Sequence, residues 1–150
     1  MLGELVNIMS GKKADYTKQE PAKITDDGDF PESETILVQR TIRSGQTVQY
    51  SGHIVILGDV NPGAEIIADG NIMVLGCLRG VAHAGALGNQ LAVVAAFRLE
   101  PTQLRIANHI TRAPDGEMWQ PQQPEVARIK NGVVVIEKLQ SIGERCLNLC

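Results

Sequence analysis

The sequence predicts an all-β fold, a parallel β-helix with about 18 residues per coil and closing strands at its C-terminal end, on three observations. The first is a repeat. Three blocks of 18 align without a gap: "TILVQRTIRSGQTVQYSG" (35–52), "HIVILGDVNPGAEIIADG" (53–70) and "NIMVLGCLRGVAHAGALG" (71–88). Each ends in glycine, at Gly52, Gly70 and Gly88; position 2 is always isoleucine, and position 8 is Ile42, Val60 or Leu78. The second is glycine content. These 54 residues hold nine glycines, too many for helices, where each costs roughly 1 kcal/mol. The third is core chemistry. Hydrophobic residues make up 43% of the 150-residue chain but aromatics only 3%, so small and β-branched side chains must fill thin, regularly stacked layers.

Along the chain, Leu2, Leu5, Val6 and Met9 mark a short amphipathic helix or the remnant of a preceding domain within residues 1–10. Residues 11–34 carry 11 charges in 24 positions and few apolar side chains. That composition buries too little surface to offset its ordering entropy, which predicts a flexible linker. A linker with almost nothing before it suggests that a preceding domain is absent from this chain. From residue 35 short apolar runs alternate with Gly, Asn-Pro and Asp-Gly, the pattern of strands and tight turns. Residues 89–108 read as a looser fourth coil, with "TQLRIA" its last strand. The following "PDGEMWQPQQPE" is proline-rich and irregular. Residues 126–137, "VARIKNGVVVIE", form a hairpin or a pair of closing strands around Asn131-Gly132 and cap the solenoid. The β-helix domain thus spans 35–138, and 139–150 is a tail.

Net charge is −3 with scattered basic residues, which leaves no electrostatic footprint for nucleic acid. Cys77, Cys146 and Cys150 are odd in number and form no CxxC pair, which points to a reduced, cytoplasmic protein. No apolar run approaches the roughly 20 residues of a membrane span, and the first ten residues lack a signal peptide's basic start.

The runs "IVIL" (54–57) and "IMVL" (72–75) are apolar at every position. Strand side chains alternate, so with Ile54, Ile56, Ile72 and Val74 inward, Val55, Leu57, Met73 and Leu75 face outward. Together with Leu37 they make an apolar outer face, the mark of strands covered on both sides. Either a second subunit or a flap from the C-terminal segment covers it.

Catalytic vocabulary is sparse. His83 in "GVAHAGA" has small neighbours and resembles the general base of hexapeptide-repeat acyltransferases, but the sixfold register and the inserted pocket loop of those enzymes are absent. A structural or interface role fits His83 better. The other imidazoles are His53 and His109. No phosphate-binding glycine motif occurs, Asp59, Glu65 and Asp69 lack calcium-loop spacing, and Ser44 lacks a GxSxG context. The pattern calls for no cofactor or metal.

The stretch "RTIRSGQTVQYSGHIVILGDVNPGAEIIADGNIMVLGCLRGVAHAGALGN", followed by "AFRLEPTQLRIA" and "PEVARIKNGVVVIE", resembles the C-terminal domain of the MinC family of bacterial septum-site determining proteins over about 35–138. The resemblance implies a right-handed β-helix of triangular section that forms a homodimer through an apolar face. It implies docking on the membrane-associated ATPase MinD, assistance in contacting FtsZ, and recruitment to the inner face of the membrane by its partner. It places MinD contact on Arg43, Ser44, Gly45 and Gln46. Arg79 and Gly80 occupy the same repeat positions, 9 and 10, as Arg43 and Ser44, so stacking should bring them to neighbouring places on one edge. Val81 stands where some relatives carry a second arginine tied to FtsZ-tail binding. The rival readings are a β-helical acyltransferase and a self-polymerising structural β-helix.

Overall fold

In the computed structural model of the chain, residues 33–112 and 123–139 are described. The expected helix or remnant at 1–10, nearly all of the linker, most of the proline-rich stretch and the tail with Cys146 and Cys150 lie outside them.

The described residues form eleven strands and no helix. Strands β1 (Thr35–Val38), β3 (His53–Ile56), β5 (Ile72–Leu78) and β7 (Val94–Leu99) stack in parallel as one sheet, here sheet A. Strands β2 (Thr47–Tyr50), β4 (Glu65–Ala68), β6 (Val81–Ala84) and β8 (Gln103–Ile106) stack in parallel as sheet B. A third face is reduced to single bridges joining Ile42 to Val60 and Val60 to Leu78. The chain therefore winds through four coils of a parallel β-solenoid.

Two antiparallel additions follow the coils. Strand β9 (His109–Arg112) turns back on β8, and β10 (Glu125–Lys130) pairs with β7 and with β11 (Val133–Lys138). The β10–β11 turn is Asn131-Gly132, both at positive φ, as a two-residue hairpin requires. These C-terminal strands extend the two sheets edgewise. They do not lie over the outer face of sheet A as a flap.

The inward alternation holds. Ile54, Ile56, Ile66, Val74, Leu78, Leu104 and Ile106 are fully buried, and the buried hydrophobic core contains only Ile, Val, Leu and Ala. Each such Ile, Leu or Val contributes roughly 1.5–3 kcal/mol by burial, and stacking identical positions lets small branched side chains fill the interior without aromatics.

The gapless alignment of the third block needs correction. Coils one and two are offset by 18 throughout, from Ile36 opposite Ile54 to Tyr50 opposite Ala68. Coil three keeps that offset at Ile54 and Ile72 but pairs Glu65 with Val81, an offset of 16. Two residues are missing at the Arg79/Gly80 corner. Gly88 is thereby displaced from the glycine column: an offset of 16 brings Ala86 to the place of Gly70, and it is the Gly85 N–H that donates to Gly70 O as Gly70 donates to Gly52 O.

Candidate partner-binding edge and apolar face

Residues 43–46 form the corner between the third face and sheet B. The Gln46 N–H donates to Arg43 O (3.0 Å), and Gly45 sits at φ +83°. That is the arrangement of a type II turn, in which the third residue needs positive φ. The Gln46 side chain folds back so that its Oε1 accepts the Arg43 N–H at 2.8 Å. The turn is thus closed by its own first and last residues, leaving all four exposed.

One coil below, Asn61, Pro62, Gly63 and Ala64 make a second turn of the same form, with the Ala64 N–H donating to Asn61 O and Gly63 at φ +86°. The two turns are tied together, since the Gly45 N–H donates to Gly63 O at 2.9 Å and the Glu65 N–H to Gln46 O at 3.0 Å. An exposed tetrapeptide is thereby held on a rigid base, which limits the entropy lost when a partner fixes it.

In the third coil no turn is built. The chain passes from Leu78 to Val81 through Arg79 and Gly80 alone, tucked beneath the Asn61 turn. A Cβ on Gly80 would run into the carbonyl oxygens of Ala64 and Asn61, so the close approach requires glycine. Through the ladder of Ile42, Val60 and Leu78, Arg43, Asn61 and Arg79 follow in one column. The two arginines share an edge, but two coils apart, about 10 Å at ordinary strand spacing, with Asn61 between them. Arg79 is exposed and its Nε lies 3.9 Å from Glu100 Oε2 of the next coil. Arg43 is exposed too, and it takes part in none of the ion pairs among the described residues.

The apolar face is on sheet A. Register places Leu37, Val55, Met73, Ala95 and Val126 in one outward row. Leu75 follows Met73 two residues on in β5, Leu57 lies just past the end of β3, and Phe97 falls in the irregular stretch of β7 between Ala96, opposite Val74, and Arg98, opposite Cys77. Leu37 is 52% exposed, Leu57 48%, Met73 45% and Phe97 53%, while Val55 and Leu75 are half-buried. Ala95 and Val126 are already buried, at 7% and 5% exposure, so the open part of the row is Leu37, Val55 and Met73; Ala95, Phe97 and Val126 all escape sequence reading. Alanine carries no signal, and the third-to-fourth coil offset of 22 (Ile72 to Val94) hides the alignment. Asn61 and Glu100 were missed on the polar edge for lack of any motif.

Two of the imidazoles, His83 and His53, are engaged with the backbone. His83 Nε2 lies 3.0 Å from Ala107 O, whose residue is at φ +51°. His53 Nδ1 accepts the Asn71 N–H at 2.8 Å, and Asn71 Oδ1 in turn accepts the Val93 N–H at 2.8 Å. These side chains satisfy backbone donors where the chain climbs from one coil to the next. Among the described residues, no group of three His, Cys, Asp or Glu side chains is placed to hold a metal, and no helix is long and apolar enough to cross a membrane.

Residues 36–139 match the family described as "Septum formation inhibitor MinC, C-terminal domain". The chain is similar to the "Probable septum site-determining protein MinC" of Heliobacterium modesticaldum, at 64% identity over 117 residues that make up 78% of this chain and 39% of that protein. It is also similar to the protein of the same description from Clostridium acetobutylicum, at 53% identity over 106 residues, 71% of this chain and 50% of that one. The chain therefore spans between two-fifths and half of the length of these curated relatives. Among solved structures it is similar to a chain of the "MinC:MinD cell division protein complex" of Aquifex aeolicus, with a TM-score of 0.70 and 42% identity over 78% of this chain and 95% of that chain.

Proposed function

The chain belongs to the family of the MinC C-terminal domain, and from that premise we propose that it is a non-enzymatic, dimeric interaction domain in division-site selection. In this reading it binds a MinD-type ATPase through the edge carrying residues 43–46, with Arg79 and Gly80 as the lower part of the same edge. It pairs with a second copy through the outer face of sheet A, is carried to the inner face of the membrane by its partner, and helps direct inhibition of FtsZ assembly. The observation that carries the proposal is the exposed, self-closed turn at Arg43 on a chain so similar to one found in a MinC:MinD complex.

The chemistry of the edge suits a protein partner. The Arg43 guanidinium offers a planar fork of donors to carboxylates or carbonyls. Ser44 and Gln46 supply shorter polar contacts, and Gly45, with nothing within 4 Å of its Cβ position, lets the partner's backbone approach closely. Against the acyltransferase reading stands the match to the MinC C-terminal family, and His83 Nε2 is engaged by Ala107 O.

A titration of ATP-loaded MinD from the same organism into the full chain tests the proposal. Saturable binding supports it; no binding removes it. Gly45→Asp should abolish binding by adding bulk and charge where the partner approaches; open space surrounds the position, but φ +83° strains any side chain there, so a modest fall in melting temperature with the chain still folded is expected beside it.

A further inference from the structure

The two most exposed large hydrophobic side chains among the described residues are outside both surfaces so far discussed. Leu87 is 84% exposed and Leu91 89%. Both stand on residues 85–92, the loop that joins β6 of sheet B to β7 of sheet A and accounts for the longer step into the fourth coil.

The loop is built. The Gly88 N–H donates to Gly85 O at 2.8 Å, and the Leu91 N–H to Asn89 Oδ1 at 3.0 Å. Its first residues are pinned to the coil above, Gly85 to Gly70 O and Ala86 to Ala68 O, each at 3.0 Å. A Cβ on Gly85, at φ +58°, would run into Asn89 O. Two leucines are therefore held out into water by a loop already fixed in shape, which is how an anchor is arranged when ordering cost must be kept low at binding.

We infer that Leu87 and Leu91 are anchors for a second copy of this chain, extending the apolar face of sheet A around its edge. This rests on the proposal that sheet A is the dimer face. Three observations select that occupant. The loop runs directly into sheet A through Val93, whose carbonyl accepts the Ile72 N–H, so it borders that sheet at the start of β7 and is separated from the Arg43 edge by the width of sheet B. The open face is narrow: Ala95 and Val126 in its outward row are already buried, which leaves Leu37, Val55, Leu57, Met73, Leu75 and Phe97, against the roughly 20–30 residues a side of a stable interface. Further apolar area is needed at its border, and this loop supplies it. Residues 80–97 contain no lysine or arginine, whereas a loop that anchors to anionic lipid usually adds basic residues to its apolar ones.

The test compares the full chain with Leu87→Ser/Leu91→Ser and with Val55→Asp/Met73→Asp, by sedimentation equilibrium over a concentration series. The expected result is a wild-type dimer, a loop variant whose dimer dissociates roughly 10- to 100-fold more readily, and a monomeric face variant. Thermal melting of the monomeric face variant with and without the loop changes should show no difference, which separates loss of pairing from loss of fold. If the loop variant dimerises as the wild type does while the face variant is monomeric, the inference fails and the dimer face stands. If the wild type is monomeric at all concentrations, or the face variant stays dimeric, the dimer-face reading fails and the inference with it. Flotation with phosphatidylglycerol–phosphatidylethanolamine vesicles is the remaining arm: vesicle binding that vanishes in the loop variant, with dimerisation unchanged, would assign the leucines to lipid and overturn the inference.

Discussion

Sheet A and the Arg43 edge are two surfaces of one solenoid built on opposite terms. On sheet A, outward positions of successive coils repeat the same apolar chemistry, and Leu37, Val55 and Met73 stand in register at strand spacing. Any one of them can be trimmed without changing the character of the face. On the edge the backbone form repeats once and the chemistry does not: the turns at Arg43 and Asn61 share a length but not a charge, and the Arg79/Gly80 corner is two residues shorter. A repeat fold thus yields a broad surface where outward chemistry repeats from coil to coil, and a specific one where that chemistry changes. The first suits a copy of itself, which presents the same pattern; the second suits an unlike partner.

The largest effect that bears on this contrast is on assembly. Val55→Asp with Met73→Asp removes two apolar side chains from the centre of the face and places like charges there on both subunits. Dimer affinity should fall on the order of a thousandfold or more, read as a monomeric mass by light scattering. The inward core is untouched, so the monomer should melt cooperatively and still bind MinD at one edge per chain. A variant that stays dimeric would show that the repeated face is not where copies meet.

A smaller effect should come from the broken corner. Gly80→Ala forces a methyl group against the backbone oxygens of Ala64 and Asn61, which cannot move without shifting the turn above. The expected cost is about 1–3 kcal/mol of stability, measured by urea unfolding, together with weaker MinD binding because Arg79 and the Asn61 turn are displaced. Unchanged stability would mean that the two-residue shortening is not a close approach.

The smallest effect belongs to the cap. Glu137 hydrogen-bonds Lys130 and faces Arg128, with Arg128 Nε 3.4 Å from Glu137 Oε2. The Lys130 hydrogen bond holds this carboxyl below its ordinary range, burial opposes that slightly, and the charges of Lys130 and Arg128 add to the lowering. A depressed carboxyl stabilises the folded state above its unfolded pKa and loses that contribution as pH falls through the folded value. Glu137→Gln should therefore lower the melting temperature slightly at pH 7 and flatten its decline in acid. Both surfaces should bind as before. A variant that melts like the wild type at every pH would show that this exposed cluster contributes nothing.

The parts of the fold that obey the period were legible in the sequence. Ile54, Ile56, Ile72 and Val74 are inward because alternation admits no other assignment, and Asn131-Gly132 turns because few dipeptides accept two successive positive φ values. What departs from the period was not legible. Because Gly88 ends its block like Gly52 and Gly70, the two missing residues at Arg79/Gly80 were masked by the insertion that follows them. Strand β9 turns through Ala107-Asn108, where the positive φ of +51° falls on the alanine and not on the asparagine that follows it, so the pair does not read as a hairpin turn. On the candidate site, Arg43 to Gln46 were found through resemblance alone. Their type II geometry and Gln46's bond back to Arg43 needed the coordinates, as did Asn61's place between the two arginines.

The account's central claim is that the turn at 43–46 is read by a partner and is not only a bend in the chain. Calorimetric titration of ATP-loaded MinD into Arg43→Ala, beside the wild type, tests it most directly. The guanidinium is exposed and pairs with no described residue, so melting temperature and dimer mass should stay as they are. Affinity should fall by about 1.5–3 kcal/mol if Arg43 donates to charged groups on the partner. Wild-type affinity from a folded, dimeric Arg43→Ala chain would contradict the claim.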